Sequence, residues 1–123
     1  RGGGEMRDYH LYGNRLQKRF PVEKDRALVI GELGGLGFTD PEHSMKKEVW
    51  SYGSFKSTAA LWDAYKELVL RIKELKKAGF SAAIYTQLTD VETEGNGIIT
   101  YDRMRLKMSA GQLKELHQLL YEQ

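Results

Sequence analysis

Glu32 is the residue of this chain whose type and position best suit chemistry. Residues 26–33 (RALVIGEL) contain a continuous apolar run, which predicts a strand buried on both faces, as in a parallel sheet. Reacting groups of α/β proteins lie at the carboxyl ends of such strands. A carboxylate there can attack the anomeric carbon of a sugar. The alternative is a loop carboxylate that holds backbone N–H groups or an arginine.

Three aromatic residues, Trp50, Tyr52 and Tyr85, lie in or next to predicted loops. Their rings can stack on the apolar C–H face of a sugar, although such residues, taken singly, are more often packing residues. The connection over residues 38–56 is long and has no clear secondary structure, which is typical of functional loops.

The histidines do not predict a metal site. His10, His43 and His117 lack the HExxH spacing of zinc ligands, and His117 lies on a predicted helix beside Leu116, which favours a structural role.

The segment DVETEG (residues 90–95) has acidic residues and a glycine where a calcium loop has them, but Tyr101 stands where a bidentate Glu is required. The alternative is an acidic loop balanced by Arg103 and Arg105.

The glycine-rich segment GELGGLG (residues 31–37) does not fit a nucleotide site. Gly35 and Gly37 begin a G-x-G-x-x-G pattern, but Asp40 and Pro41 follow instead of the last glycine and a helix. The chain also has neither a GK[ST] phosphate loop nor a GxSxG nucleophile elbow.

The predicted elements alternate between strands and helices. Ser57 is a good N-cap for a helix over residues 58–78, Gly79 suits its C-terminal end, and Ser109 with Gln112 forms a capping box for a helix over residues 110–121. Residues 26–33 and 80–87 are predicted strands, and a third strand ends near His10. This order predicts an α/β fold with parallel strands. Periodicity alone does not distinguish a small open sheet from part of a barrel.

Composition limits the classes of partner. The 123 residues carry a net charge of only +2, which does not indicate a nucleic-acid partner. There is no cysteine, so disulfide and thiolate chemistry are excluded. No apolar run approaches the roughly 20 residues that span a bilayer, so a membrane partner is not predicted.

Four segments together resemble the catalytic domain of glycoside hydrolase family 2, the family of β-galactosidases and β-glucuronidases. DYHLY (residues 8–12) resembles the sixth strand of the family's (β/α)8 barrel, and RALVIGELGGLG (residues 26–37) resembles the seventh. WSYG (residues 50–53) is similar to the segment that follows, and AAIYTQLTDVETEGNGIITYDR (residues 82–103) resembles the eighth strand and its loop.

The resemblance implies a retaining β-glycosidase with Glu32 as the nucleophile and no metal or cofactor. The substrate-binding residues that it implies are His10, Tyr12, Trp50, Tyr85 and Gln87. It implies that residues 1–123 are a single partial domain, the part of a TIM barrel around strands 6 to 8. The implied partners are a carbohydrate substrate, the remainder of the barrel, and the β-sandwich domains of a parent chain.

The chain departs from the family pattern at several points. The family's acid/base lies in an Asn-Glu pair, which does not occur here, so the isolated chain is expected to be inactive. Leu33 stands where the family often has Phe, and Gly13 where Pro is common. The alternatives are a non-catalytic carbohydrate-binding or structural α/β domain and a small nucleotide-binding module, against which the absent phosphate motifs argue.

Overall fold

The computed structural model describes residues 3–21, 23–46 and 49–122, and in it strands and helices alternate along the chain. In chain order the elements are β1 (Met6–Tyr12), a 3-10 helix (Gly13–Gln17), β2 (Ala27–Gly34), β3 (Leu36–Gly37), β4 (Gly53–Ser54), α1 (Thr58–Lys77), β5 (Phe80–Thr86) and α2 (Ala110–Gln118).

Three of the strands form one parallel sheet. β2 is the central strand, and it pairs in parallel with β1 on one side and with β5 on the other. The predicted α/β fold with parallel strands is therefore confirmed, with all three main strands within a few residues of their predicted limits. The two-residue strands β3 and β4 form a second, small parallel pair that the sequence did not predict.

Capping side chains determine where both helices begin. The Ser57 hydroxyl accepts a hydrogen bond from Ala60 N–H at 3.1 Å, and Ser109 accepts one from Gln112 N–H at 3.4 Å. Each bond satisfies a backbone donor that has no partner inside the helix. Beyond the C-terminal end of α1, Gly79 has a φ of +107°, the conformation that favours glycine. Both predicted N-caps are confirmed, whereas α2 ends three residues earlier than expected.

The helices cover only one face of the sheet. Leu68 and Leu75 of α1 pack against Leu28, Ile30 and Leu33 of β2 in one buried cluster. A second cluster joins α1 to α2 and the segment before it, and its buried members are Leu61, Tyr65, Val69, Met108, Leu113 and Leu116. The buried residues of α1 recur at helical spacing, as expected for a helix with one apolar face, and the sheet is held to α1 by burial of apolar surface.

The opposite face of the sheet, here called the open face, is exposed. Apolar side chains at either edge of the sheet remain in water: Met6 of β1 is 64% exposed and Ile84 of β5 is 61% exposed. Parallel sheets are normally covered on both faces, so this arrangement is unusual. Within the described residues, no helix has the length and apolar character needed to cross a bilayer.

Candidate active site

A bulge in β2 directs Glu32 to the open face. Strict alternation would put Glu32 on the same side as Ile30, which packs against α1. Instead Tyr9 and His10 of β1 pair with Ile30 and Glu32, so Gly31 is an extra residue in β2. Leu33 then faces the core while Glu32 points the other way. A bulge that re-aims one side chain is a common device next to active sites.

Gly31 also fits the site because it has no side chain. A Cβ at this position would overlap the carboxylate of Asp8, and the Gly31 N–H donates a hydrogen bond to Asp8 Oδ1 at 2.8 Å. The same bulge residue therefore turns Glu32 outward and fixes the neighbouring acid on β1.

Four side chains on the open face form a connected group, here called the Glu32 cluster: Asp8, His10, Tyr12 and Glu32. The Tyr12 hydroxyl donates a short hydrogen bond to Glu32 Oε1. His10 Nδ1 lies 2.7 Å from Glu32 Oε2, and His10 Nε2 lies 3.2 Å from Asp8 Oδ2. A neutral imidazole can donate to only one of these carboxylates, whereas the doubly protonated ring donates to both.

The environment of Tyr12 keeps its hydroxyl protonated. Burial raises the pKa of Tyr12, and the hydrogen bond that it donates to Glu32 raises the pKa further. The Tyr12 hydroxyl therefore keeps its proton at pH values above 10.0, where an exposed tyrosine would lose it, and can donate to Glu32 over a wide pH range.

An aromatic row of Tyr12, Tyr52 and Trp50 begins at the tyrosine that binds Glu32. Tyr12 and Tyr52 are stacked with ring centroids 3.9 Å apart, and Trp50 meets Tyr52 edge-on at 5.7 Å. About half of each of the last two residues of the row is in water, with Trp50 49% and Tyr52 58% exposed. Exposed rings beside a carboxylate are available to stack on a flat apolar ligand surface.

Backbone bonds bring Tyr52 to this position. Gly35 N–H donates to Thr86 O at 3.0 Å, and Gly53 N–H donates to Gly35 O at 3.0 Å. Through Gly35, these bonds fix Gly53, the residue after Tyr52, to the carboxyl ends of β2 and β5.

The structure does not bring Tyr85 into the Glu32 cluster. Its ring lies on the helix side of the sheet and meets Tyr65 of α1 edge-on, with centroids 5.2 Å apart. Burial is the main cause that raises the pKa of Tyr85, as expected for a core tyrosine. Tyr12, and not Tyr85, is thus the tyrosine that hydrogen-bonds Glu32. Tyr85 was expected beside a substrate. It lies on the helix side instead, because successive residues of β5 point to opposite faces and the next residue, Thr86, is on the open face.

Gln87 lies at the carboxyl end of β5, after a cis peptide bond to Thr86. Its amide donates to Asn96 Oδ1 at 2.8 Å, and Asn96 donates in turn to Glu94 Oε1 at 2.9 Å. Asn96 is fully buried. Through Asn96, Gln87 therefore holds the loop that follows β5.

The acidic loop is balanced by a residue that the sequence did not indicate. The buried side chain of Asp90 pairs with Lys107 Nζ at 2.6 Å, and burial is the main cause that lowers the pKa of Lys107. Arg105 pairs with Asp40 instead, at 3.0 Å. The expectation that Arg103 and Arg105 balance this loop is therefore wrong. The position of Lys107 in the sequence does not indicate that it packs against Asp90 in the folded chain.

A second group of polar residues lies on the loops away from Glu32. The side chains of Asp40, Glu42 and His43 each offer an atom that could bind a metal ion, and these atoms lie within 4.8 Å of one another. Asp40 already binds Arg105, and His43 Nδ1 lies 2.6 Å from Asp102 Oδ2. These contacts join two loops.

Two grooves lie on the helix side of the sheet. One, of about 460 Å³, lies between α1 and β5, and a second, of about 220 Å³, lies beside Tyr65 and Tyr85. Their walls are mainly apolar, whereas the Glu32 cluster is on the open face. We therefore assign the candidate site to the open face, where charge and aromatic surface meet.

Asp8 completes the site but was not among the residues expected to form it, whereas Tyr52 was expected only as a ring that can stack on a sugar. Asp8 shares the open face with His10 and Tyr12 through strand alternation, which is a signal that the sequence does carry. Neither a protein-family model nor a curated protein matches the chain.

Proposed function

We propose that this chain is the nucleophile-bearing part of a retaining β-glycosidase, with Glu32 as the nucleophile. The observation that carries the proposal is the Glu32 cluster itself, in which Tyr12 donates to one oxygen of Glu32 and His10 Nδ1 lies within hydrogen-bond distance of the other. An ionised Glu32 can accept both bonds and has no proton to donate. Its chemistry is therefore that of a nucleophile, not that of a general acid.

The aromatic row supports a sugar as the ligand. One face of a β-linked hexopyranose presents axial C–H groups, which pack on aromatic rings, while the hydroxyls need hydrogen-bond partners. The exposed rings of Tyr52 and Trp50 follow Tyr12, which binds one oxygen of Glu32, and His10 contacts the other oxygen and reaches Asp8. This combination suits a ring that is apolar on one face and polar at its edge.

The reaction needs a second carboxyl group. Retaining enzymes use two carboxyl groups about 5–5.5 Å apart. Asp8 is a poor candidate for the second, because it is bound to Gly31 N–H and lies beyond the imidazole of His10. We propose that the acid/base comes from the remainder of a (β/α)8 barrel, in which this chain supplies strands 6 to 8, preceded by β-sandwich domains.

The uncovered sheet supports this barrel arrangement. In a closed barrel the open face would line the interior, and the exposed Met6 and Ile84 would be covered. Closure would also remove water from the half-exposed His10 and Asp8, which strengthens their interactions with Glu32.

In the proposed mechanism, a Glu32 oxygen attacks the anomeric carbon and forms a C–O bond as the bond to the leaving oxygen breaks. The acid/base donates a proton to that oxygen. It then takes a proton from water, which attacks the same carbon and releases Glu32. Tyr12 and His10 hold the Glu32 carboxylate at the position of attack and receive it again when it leaves.

The test is Glu32→Gly in the complete protein, with an aryl β-glycoside as substrate. Loss of the nucleophile should lower kcat by at least about 10⁴-fold. Added azide can fill the space and should restore turnover, giving a glycosyl azide of inverted anomeric configuration. Glu42→Gln, which changes an exposed glutamate of another loop, is the control and should retain activity. Near-normal turnover by Glu32→Gly without azide would exclude this role.

The exposed aromatic rings also favour a second candidate, a domain that binds a β-sugar without cleaving it. Calorimetric titration with a β-glycoside separates the two. Binding by the complete protein with no product after long incubation would favour the binding domain.

A further inference from the structure

A buried ion pair lies beneath the loop that follows β5. The pair consists of Asp90, which is 7% exposed, and Lys107, which is 4% exposed. Burying two charges is unfavourable unless their other hydrogen bonds are also satisfied. Here Asp90 Oδ1 accepts from Gly97 N–H at 2.8 Å, and Lys107 Nζ donates to Gly95 O at 3.1 Å. An apolar pair of similar volume would often be as stable, so stability alone does not explain these charges.

The contact with Gly95 connects this pair to Trp50. The Gly95 carbonyl accepts hydrogen bonds from Lys107 Nζ and from Phe38 N–H, the latter at 3.1 Å. The Gly95 N–H donates to Trp50 O at 2.9 Å, and Trp50 N–H donates to Thr93 O at 2.8 Å. The backbone of Trp50 is therefore bound on both sides to the segment that the ammonium group holds.

Trp50 depends on these backbone bonds for its position. Half of its surface is exposed, so side-chain packing holds only part of the residue. Its ring contacts Tyr52, and Tyr52 stacks on Tyr12, which donates to Glu32. A shift of the loop at Gly95 would thus move the outer end of the aromatic row relative to Glu32.

We propose that Asp90 and Lys107 are positioning residues that fix the distance between Trp50 and Glu32, and with it the subsite for the sugar ring. The ammonium group places the Gly95 carbonyl, and Gly95 places Trp50. The statement about Trp50 stands on the geometry, whereas the statement about the sugar rests on the proposed function.

The test removes both charges together, so that no unpaired ion remains buried. Asp90→Asn combined with Lys107→Met keeps an oxygen for Gly97 N–H but leaves Gly95 without its ammonium donor. Hydrogen exchange of the Trp50 and Gly95 amides, followed by NMR, should become at least tenfold faster while amides in β2 keep their protection. Lys73→Met, which removes the surface contact with Glu122, is the control and should leave these amides unchanged.

Unchanged exchange at Trp50 and Gly95 in the folded double variant would overturn the inference. If the double variant does not fold, the unmodified chain decides the question. Its Trp50 and Gly95 amides should be protected nearly as well as those of β2, and rapid exchange there would contradict the inference.

Activity separates this inference from the proposed function. In the complete protein, the double variant should raise KM for an aryl β-glycoside about tenfold and change kcat little, because binding at the aromatic row is lost while Glu32 stays in place. If the complete unmodified protein has no glycosidase activity, the proposed function fails, and faster exchange in the variant still supports the positioning of Trp50. A kcat that falls as much as kcat/KM would contradict the role in the subsite.

Discussion

Tyr12 makes the closest contact with Glu32, and its hydroxyl can be removed without changing the ring. Tyr12→Phe should lower kcat/KM of the complete protein about tenfold to hundredfold. This corresponds to the roughly 1.5–3 kcal/mol that a hydrogen bond to a charged group contributes. Steady-state kinetics with an aryl β-glycoside measures the effect.

Tyr52→Phe is the matched control for that substitution. Tyr52 takes part through the face of its ring, which stacks on Tyr12, so loss of its hydroxyl should change kcat/KM much less. Equal effects of the two substitutions would contradict a special role for the Tyr12 hydroxyl.

His43 and Asp102 join two loops through a contact that depends on pH. The hydrogen bond from the His43 ring, followed by the one from Met104 N–H, lowers the pKa of Asp102 from 3.8 to about 2. A folded-state pKa below the unfolded value means that the contact stabilises the fold above pH 3.8 and is lost as the pH falls towards 2.

Asp102→Asn tests this pH dependence through urea unfolding at a series of pH values. The free energy of unfolding of the variant should be lower than that of the unmodified chain at about pH 5, and the difference should shrink as the pH falls towards about 2. Asp63→Asn, at an exposed position of α1, should show no such trend. A difference that stays constant across this range would exclude the contact as its cause.

Ser57 has a larger effect than its exposure suggests, because α1 contributes to both buried clusters. Ser57→Ala removes the acceptor of Ala60 N–H and should lower the free energy of unfolding by about 1 kcal/mol. Ser109→Ala should lower it less, since its bond to Gln112 N–H is longer. Chemical denaturation measures both.

Ser81→Ala, at an exposed position of β5, is the control and should change the free energy of unfolding by less than about 0.5 kcal/mol. A Ser57→Ala variant as stable as the control would contradict the capping role.

The elements that the sequence predicted well are those whose signals are local. The apolar face of α1, its serine cap and the apolar run of β2 all follow from spacing within one segment. The bulge at Gly31 could not be predicted, because it depends on how β1 pairs with β2. If Gly31 were kept but paired as a regular strand residue, alternation would have placed Glu32 in the core beside Ile30.

The same reason explains the other differences within the site. Lys107 is 17 residues from Asp90 in sequence, and only the folded loop brings them together. Tyr85 belongs to the same strand end as Gln87, but it faces α1 because the alternation of β5 puts it there. Predicting the side of the sheet required the register of all three strands.

At the scale of the whole molecule, three tyrosines distinguish the folded chain from the unfolded one at high pH. Burial raises the pKa of Tyr65 from 10.0 to about 12, and the pKa values of Tyr12 and Tyr85 are also raised, first by burial. Raised folded-state values mean that the fold keeps this contribution to stability below pH 10.0 and loses it as the pH rises towards 12.

Absorbance at 295 nm should show these tyrosines ionising late. Of the seven in the chain, three should titrate only in a steep step that coincides with loss of the circular dichroism signal. In guanidinium, all seven should titrate near pH 10, which is the unfolded reference. Titration of all seven near that pH in a chain that stays folded would contradict the burial of Tyr65, Tyr85 and Tyr12.

The extra residue in β2, Gly31, also determines how the strand would respond to the deletion of one residue. Loss of Gly31 would leave Ile30, Glu32 and Leu33 in simple alternation, so the acid would keep its side of the sheet. The amide proton that Gly31 donates to Asp8 would disappear. A chain without Gly31 would thus keep Glu32 on the open face and lose the hydrogen bond that restrains Asp8.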